Sequence, residues 1–391
     1  MKQRHVYLDN AATTPVRPEV LEAMMPFLTE EAFGNPSSAH AVGRRARAAV
    51  AKARRQIAEA LGVEPHDVFF TSGGTEAANL AIIGAAVAAQ RQGTPARVAV
   101  SAIEHPAVLE AADAVTSSGG DATVLPVDER GQIDVGVLEH ALSNALAVCS
   151  IMWVNNEVGI IQDIARLAER CSEAGVPFHT DAVQAVGKIP CNIADIPCTM
   201  LTIAGHKLGG PKGVGALIVR NRNAVAALQH GGGQQHGIRP GTENVPGIVG
   251  LGEAVELAVN DRPTTGPRLE TLRRDFEARL VAEIPDATIT AADAPRAPHV
   301  TNVTVPGIDS EATVMHLDLA GIACSTGSAC HTGSAEPSRV LTALGVPDER
   351  AARSLRFSFY KNNTAEDVER VLAVLPGVVT KVRALAESLG R

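Results

Sequence analysis

The stretch Met200-Leu201-Thr202-Ile203-Ala204-Gly205-His206-Lys207 joins a short apolar run to a turn of small residues that ends in a lysine. Similar apolar runs alternate with helical patterns between residues 65 and 220. This alternation predicts an α/β domain with a mostly parallel, doubly wound sheet. The other runs are residues 67–70, 97–100, 147–153, 177–179 and 213–219.

Polar residues follow the apolar runs, at the points where the predicted strands end. In doubly wound sheets ligands bind at the carboxyl ends of the strands, so we expect these side chains to converge on one cleft. They are residues 71–75, Glu104 and His105, Asn155 and Asn156, Asp181, and His206 and Lys207.

The last third of the chain has a different pattern, which predicts a second, smaller α+β domain. We expect a helix over residues 245–260, a turn-rich hinge at residues 262–267 (RPTTGP), an amphipathic helix over 269–284, strands near 300–305 and 356–359, and a final helix from Ala365. The chain is therefore divided into a large domain of residues 15–260 and a small domain of residues 1–14 and 261–391.

The composition is that of an enzyme-sized globular chain, with 391 residues of which 45% are hydrophobic. A net charge of −8 argues against a nucleic acid or an anionic membrane as the main partner. The first residues lack the apolar segment of a signal peptide, and the longest uncharged apolar run, residues 80–89, is too short to span a bilayer. We expect a cytoplasmic protein with no membrane partner and no direct nucleic-acid partner.

The six cysteines form no C-x-x-C pair, so neither a zinc site nor a disulfide framework is favoured and no metal is expected. A single cysteine is usually a small buried hydrophobic residue, and Cys324, at the end of an apolar run, fits that interpretation. Cys330 differs because its neighbours are polar and turn-forming. It is the candidate for a loop thiol that acts on a bound group.

Two further patterns indicate a cofactor site. Residues 71–79 lie between a predicted strand and a helix, where N–H groups and hydroxyls could hold a phosphate, although an ordinary N-cap after a glycine turn looks the same. Asp181 ends a strand 26 residues before Lys207. In pyridoxal phosphate enzymes an Asp pairs with the pyridinium nitrogen and a Lys forms the Schiff base. Taken singly, Asp181 is equally well a helix cap, and His105 a core histidine.

Together these residues occur in the order typical of one family, and the sequence resembles the NifS/IscS-like cysteine desulfurases over essentially its whole length. The resemblance implies the class-V aminotransferase branch of pyridoxal phosphate fold type I, with a seven-stranded sheet and a homodimer. The matching segments are residues 7–15 (YLDNAATTP), 33–38 (FGNPSS), 71–76 (TSGGTE), 104–105 (EH), 154–159 (VNNEVG), 181–184 (DAVQ), 205–207 (GHK), 239–242 (RPGT) and 328–330 (SAC).

The resemblance also implies a role for each matching residue. Lys207 would bind pyridoxal 5'-phosphate covalently, Asp181 would pair with its pyridinium nitrogen, and His105 would stack on its ring. Cys330 would be the nucleophile, attacking the sulfur of L-cysteine to give a persulfide and L-alanine. The other implied site residues are Gln184 and Asn156 at the phenolic oxygen, Gly74, Thr75 and His206 at the phosphate, Thr242 at the phosphate of the neighbouring subunit, and Asn35 and Arg356 at the substrate carboxylate.

The implied activity leaves the sulfur acceptor open: iron–sulfur cluster assembly, tRNA or DNA thiolation and cofactor biosynthesis all draw on a persulfide. The acceptor is expected to be a protein, either an iron–sulfur scaffold or a thiolation enzyme.

The match also departs from the family pattern at several positions. Many relatives have Ser in place of Ala204, and Leu-Gly-Arg in place of residues 359–361 (FYK). His331 resembles the residue of selenocysteine lyases, so a lyase is the alternative activity. A fold-type-I aminotransferase, which needs no loop thiol, is a further alternative. A non-catalytic partner protein would be expected to lack Lys207 or Asp181.

Overall fold

The computed structural model describes residues 5–327 and 338–388, which form helices packed on three sheets. Its strands are β1 (Val6–Tyr7), β2 (Val68–Thr71), β3 (Arg97–Ser101), β4 (Asp121–Leu125), β5 (Val148–Ser150), β6 (Phe178–Asp181), β7 (Met200–Ala204), β8 (Gly215–Val219), β9 (Thr288–Ile289), β10 (Val300–Thr304), β11 (Ile322–Ala323), β12 (Ser325–Thr326) and β13 (Ser354–Ser358).

The helices connect and cover these strands. They are α1 (Pro18–Met24), α2 (Ala41–Leu61), α3 (Gly74–Arg91), α4 (Pro106–Ser117), α5 (Val135–Leu142), α6 (Ile164–Glu173), α7 (Val245–Glu283), α8 (Ser310–Leu319), α9 (Arg339–Ala343), α10 (Asp348–Ala351) and α11 (Ala365–Ser388). Within the described ranges, no helix combines the length and the apolar character needed to cross a membrane.

The largest sheet has seven strands in the order β2-β8-β7-β6-β5-β3-β4. All neighbouring strands are parallel except those that pair with β8, which runs antiparallel to both β2 and β7. The predicted α/β class with a mostly parallel seven-stranded sheet is confirmed. The edge strand β4 was not among the apolar runs, because most of its residues are at least partly exposed.

The register of two central strands places the key residues at one edge of this sheet. Asp181, the last residue of β6, pairs with Thr202 of β7. Strand β7 ends at Ala204 and is followed by a single 3₁₀ turn, Gly205–Lys207. Because parallel strands end at the same edge, Asp181 and Lys207 emerge side by side.

A second core surrounds the four-stranded antiparallel sheet β12-β13-β10-β9. Phe276 of α7 packs edge-on against Phe357 and Phe359, with ring centroids 4.9 and 5.8 Å apart. Helices α8 and α11 contribute buried leucines and valines to the same cluster. The second core is thus built from residues after about position 269, together with Val6 and Leu8 near the N-terminus.

The predicted hinge at residues 262–267 is wrong, because helix α7 runs without interruption from Val245 to Glu283 and contains Pro263 and Pro267. Proline usually ends a helix because it lacks an N–H group and crowds the preceding turn. Here the helix packs on α1 and α2 with one half and on the second core with the other. The Arg268 guanidinium also donates to the carbonyl of Asn363 at 2.7 Å. These tertiary contacts outweigh the local preference.

A matched pair of leucine substitutions tests the second core. Leu280→Ala removes a fully buried side chain of α7 and should lower the free energy of unfolding by about 2–5 kcal/mol. Leu319→Ala, at the 82%-exposed end of α8, should change it by less than about 0.5 kcal/mol. Urea unfolding followed by circular dichroism measures both, and equal effects would contradict the packing described above.

Candidate active site

A cavity of about 320 Å³ lies at the carboxyl ends of the central strands. The structure brings together in it nine of the residues predicted from the sequence, from both cores. These are Gly74, Thr75, His105, Asn156, Asp181, Gln184, His206, Lys207 and Arg356, and Ala11, Ala12, Ala107, Met152, Val183 and Ala204 complete the lining.

One wall of the cavity carries a buried carboxylate and an imidazole. Asp181 Oδ1 accepts the N–H of Val183 at 2.9 Å, and burial raises the pKa of this carboxyl. His105 caps helix α4, with Nδ1 accepting the N–H of Ala107 at 3.0 Å. Burial lowers the pKa of His105 although the Asp181 carboxylate opposes the shift. The His105 ring that lines the cavity is therefore neutral. A bound cation would stabilise the ionised form of the Asp181 carboxyl.

Lys207 lies on the 3₁₀ turn at the end of β7, and its amine donates to the carbonyls of Ala11 and Ala12. The same Ala11 carbonyl accepts Gln184 Nε2 at 2.9 Å. Gln184 Oε1 in turn lies 3.2 Å from Nε2 of His299, which comes from just before β10. The N-terminal segment thus crosses the cavity and is held by both side chains.

The opposite end of the cavity suits an anion. Gly74 and Thr75 form the first turn of the 18-residue helix α3, where unpaired N–H groups and the helix dipole favour negative charge. A second cavity, of about 420 Å³, shares Gly74, Thr75 and His206 with the first and adds Lys212. Burial and then the Lys207 charge lower the pKa of His206 to about 4. Its neutral ring keeps one N–H group, which can donate a hydrogen bond to an anion.

Arg356 on β13 forms the remaining side of the cavity and is fully buried. Its Nη2 donates to Asp9 Oδ1 at 2.7 Å, and its Nη1 donates to the carbonyl of Asn156 at 3.1 Å. Within the described part of the chain, its buried Nε has no acceptor. A buried donor without a partner is costly, and a bound carboxylate would satisfy it.

Two predicted residues that the structure describes, Asn35 and Thr242, do not line this cavity. Asn35 is exposed, and its Oδ1 accepts the N–H of Ser37 at 2.9 Å. Thr242 is exposed and lines a separate cavity with Ser72 and Gly213. Cys330 lies outside the described residues. The departure at Tyr360 does not affect the cavity lining, because its hydroxyl lies against Gly209.

Sequence reasoning missed a layer of buried polar groups behind the cavity. His179 of β6 lies between the hydroxyls of Ser150 and Thr202, at 2.8 and 2.9 Å, and burial lowers its pKa to about 3. Lys188 donates from Nζ to the carbonyl of Lys207 at 3.1 Å, and burial lowers its pKa to about 7. In the sequence, the one signal for Lys188 is that a lysine occurs in an otherwise apolar stretch.

The donor set fits pyridoxal phosphate. The buried carboxylate of Asp181 has the charge that a pyridinium nitrogen needs, and the Lys207 amine is the group that an aldehyde requires. The helix N-terminus at Gly74 suits a phosphate. Within residues 5–327 and 338–388, no group of three or more His, Cys, Asp or Glu side chains is arranged to hold a metal ion.

Comparison with known proteins gives matches over nearly the whole chain. The aminotransferase class-V family model matches residues 6–371. A cysteine desulfurase from Gluconacetobacter diazotrophicus is 46% identical over 383 residues, covering 97% of this chain and 95% of the relative. A cysteine desulfurase IscS from Dictyoglomus turgidum is 44% identical over 384 residues, covering 98% and 97%. The solved structure of a NifS-like protein has a TM-score of 0.90 at 34% identity, covering 96% and 100%.

The lowered pKa of Lys188 predicts a pH dependence of stability in the cofactor-free protein. Between pH 7 and the ordinary lysine pKa of 10.5, the unfolded chain binds more protons at this residue than the folded chain. Stability should therefore rise with pH across this window. In Lys188→Met this contribution is absent, so the difference in unfolding free energy between the two proteins should change by on the order of 2–3 kcal/mol from pH 7 to 9.5.

Urea unfolding at several pH values measures this difference. Lys381→Met, which changes an exposed lysine of α11, is the matched control and should follow the wild type. If the stability of Lys188→Met has the same pH slope as that of the wild type, the lowered pKa of Lys188 is contradicted.

Proposed function

The chain belongs to the class-V aminotransferase family and is a pyridoxal-phosphate-dependent cysteine desulfurase, and we propose which of its residues carry the reaction. L-Cysteine is the substrate and L-alanine the product. The observation that best supports these roles is that a buried carboxylate and a lysine amine, Asp181 and Lys207, line one cavity at the ends of adjacent strands.

The cofactor is proposed to lie between Asp181 and the first turn of α3. Asp181 pairs with the pyridinium nitrogen, Lys207 binds the aldehyde carbon, and His105 covers the ring. When bound, the cofactor supplies an electron sink for the charge that develops as the Cα–H bond of the substrate breaks. The remaining contacts are proposed for Asn156 and Gln184 at the phenolic oxygen and for Gly74, Thr75 and His206 at the phosphate.

The substrate carboxylate is proposed to bind Arg356, whose Nε lacks a protein acceptor in the described residues. Asn35 and Asn156 are proposed to assist it. Lys207 is positioned at the cavity to take the Cα proton. Cys330, as a thiolate, attacks the substrate sulfur: an S–S bond forms and the Cβ–S bond breaks with its electron pair left on carbon. A proton delivered to Cβ and the return of a proton from Lys207 to Cα complete alanine.

The persulfide on Cys330 must then pass its outer sulfur to a nucleophile. We propose a protein acceptor, such as an iron–sulfur scaffold or a thiolation enzyme, in the cytoplasm. The two cores support the proposed division into a large domain, residues 15–260, and a small domain, residues 1–14 and 261–391.

A homodimer is proposed because Thr242 is exposed and lies outside the cavity of its own chain. Arg239 pairs with Glu76 at 2.7 Å, which holds the loop that bears Thr242 close to the α3 N-terminus. Four large apolar side chains between residues 21 and 33 are 46–69% exposed, which favours an interface that buries them. They are Leu21, Met25, Leu28 and Phe33.

Removing the proposed nucleophile should separate substrate binding from sulfur transfer. In Cys330→Ala the cofactor should remain bound and its visible absorption should still change on adding L-cysteine. Release of sulfide and alanine should fall at least about 100-fold, because no thiolate attacks the substrate sulfur. Cys324→Ala, which changes a buried cysteine, should retain activity. Normal turnover by Cys330→Ala would contradict the persulfide route.

The same two proteins decide between the alternative activities. Selenium leaves more readily than sulfur, so some turnover of L-selenocysteine should survive in Cys330→Ala. A wild-type enzyme inert toward L-cysteine but fast with L-selenocysteine would identify a selenocysteine lyase, the activity that His331 suggests by resemblance. Keto-acid-dependent amino transfer that persists without Cys330 would identify an aminotransferase.

Loss of the Thr242 hydroxyl should weaken cofactor binding across the proposed dimer interface. Thr242→Val removes one hydrogen bond to a charged phosphate, so the cofactor dissociation constant should rise roughly tenfold. Removal of the cofactor should also loosen the wild-type dimer in sedimentation velocity. Thr380→Val, an exposed site on α11, is the matched control. A stable, fully active monomer at assay concentration would contradict the proposal.

A further inference from the structure

Glu157 is a buried carboxylate to which the proposed reaction assigns no role. It is 7% exposed, and its Oε2 accepts the hydroxyl of Ser338 at 2.5 Å. Burial raises the pKa of Glu157 to about 7, although the Ser338 hydroxyl and the Arg356 charge oppose the shift. A buried acid is retained at a cost, so the strong contact between Glu157 and Ser338 calls for an explanation.

The turn that carries Glu157 is rigid and lies against the active-site cavity. Asn155 Oδ1 accepts the N–H groups of both Glu157 and Val158, at 2.9 and 3.0 Å, and its Nδ2 donates to the carbonyl of Ile103. Gly159 closes the turn at a φ of +78°, a conformation that favours glycine, and a Cβ there would lie 3.1 Å from the Val300 carbonyl oxygen. The neighbouring Asn156 lines the cavity, so Glu157 sits at a fixed distance from the site.

Ser338 is held from two directions. Its hydroxyl oxygen accepts the N–H of Leu341 at 3.2 Å and so caps helix α9, while it donates to Glu157. Helix α9 itself packs on the turn, because Val340 and Leu341 share a buried cluster with Val158. The polar contact and the apolar contact therefore dock α9 on the same surface.

The contact between Glu157 and Ser338 lies close in sequence to Cys330. Ser338 is the first described residue after Cys330, eight positions later in the chain. At the other end, Gly327 donates its N–H to the Ser354 carbonyl at 2.8 Å, and a Cβ at Gly327 would overlap the Ser354 hydroxyl. Both described ends of the interval that contains Cys330 are thus fixed to the fold, one by backbone and one by Glu157.

We propose that Glu157 is a positioning residue for sulfur transfer: by holding Ser338, it ties the chain that bears Cys330 to the turn that presents Asn156 to the substrate. The inference rests on the proposed role of Cys330. Fixing both ends of an interval restricts the positions its residues reach and raises the effective concentration of a thiol at its target. Loss of the Glu157 contact loosens one end and lowers that concentration, while Asn155 continues to hold the turn that bears Asn156.

The test separates substrate binding from sulfur transfer in the cofactor-loaded enzyme. In Ser338→Ala and in Glu157→Ala, the rate of persulfide formation on Cys330, followed by rapid quench and mass spectrometry, should fall roughly tenfold. The L-cysteine concentration that half-saturates the change in cofactor absorption should stay within about twofold of wild type. Glu157→Gln should retain the wild-type rate, because an amide oxygen still accepts the Ser338 hydroxyl.

Two controls keep the test specific. Ser143→Ala removes a hydroxyl that donates to the His140 carbonyl at 2.7 Å, at the end of α5, and should change neither measurement. The double variant Glu157→Ala with Ser338→Ala should be no slower than the slower single variant, because both remove the same contact.

Four outcomes would overturn the inference. The first three are wild-type persulfide rates in both alanine variants, additive losses in the double variant, and a Glu157→Gln enzyme as slow as Glu157→Ala. The fourth is loss of the L-cysteine response in Glu157→Ala, which would mean that Glu157 acts through Arg356 on substrate binding. A wild-type enzyme that forms no persulfide on Cys330 would instead refute the proposed function, a result distinct from all four.

Discussion

The parallel pairing of β6 with β7 is the constraint on which the rest of the site depends. It sets Asp181 opposite Thr202 and so brings an acid and the following lysine turn to one edge of the sheet. A slip of one residue would turn Asp181 to the other face, away from Lys207. Every residue of both strands is buried. The backbone pairing of the two strands sets the distance between the acid and the amine.

Burial then determines which of the surrounding groups carry charge. It lowers the pKa values of His105, His179, His206 and Lys188, so these four groups bind protons less readily than exposed histidines and lysines, and it raises the pKa of the Asp181 carboxyl. Neutral imidazoles can accept hydrogen bonds, as Nδ1 of His105 does from the α4 backbone. The amine of Lys207 and the guanidinium of Arg356 line the same cavity, and they are the groups that an aldehyde and a carboxylate require.

The sequence was sufficient to predict the central sheet and most of the cavity, because buried parallel strands are apolar runs and their ends carry the polar residues. It was insufficient where distant segments decide the outcome. The prolines of residues 262–267 indicated a hinge, but packing on both halves of α7 keeps it helical. The pairing of Glu157 with Ser338 joins residues 181 positions apart, so no local pattern could indicate it. The polar, turn-forming neighbours of Cys330 indicated a loop thiol, and its role as the nucleophile came from family resemblance.

Arg356 shows why these separate parts must act together. It lies on β13 of the second core, yet it donates to Asp9 in the N-terminal segment and to the Asn156 carbonyl beside the large sheet. Three regions of the chain therefore meet at one guanidinium whose buried Nε has no acceptor among the described residues. A substrate carboxylate that satisfies this donor would bind only when all three regions are in place. Substrate recognition is consequently a property of the assembled fold, and the turn that bears Asn156 and Glu157 links it to the chain that carries the thiol.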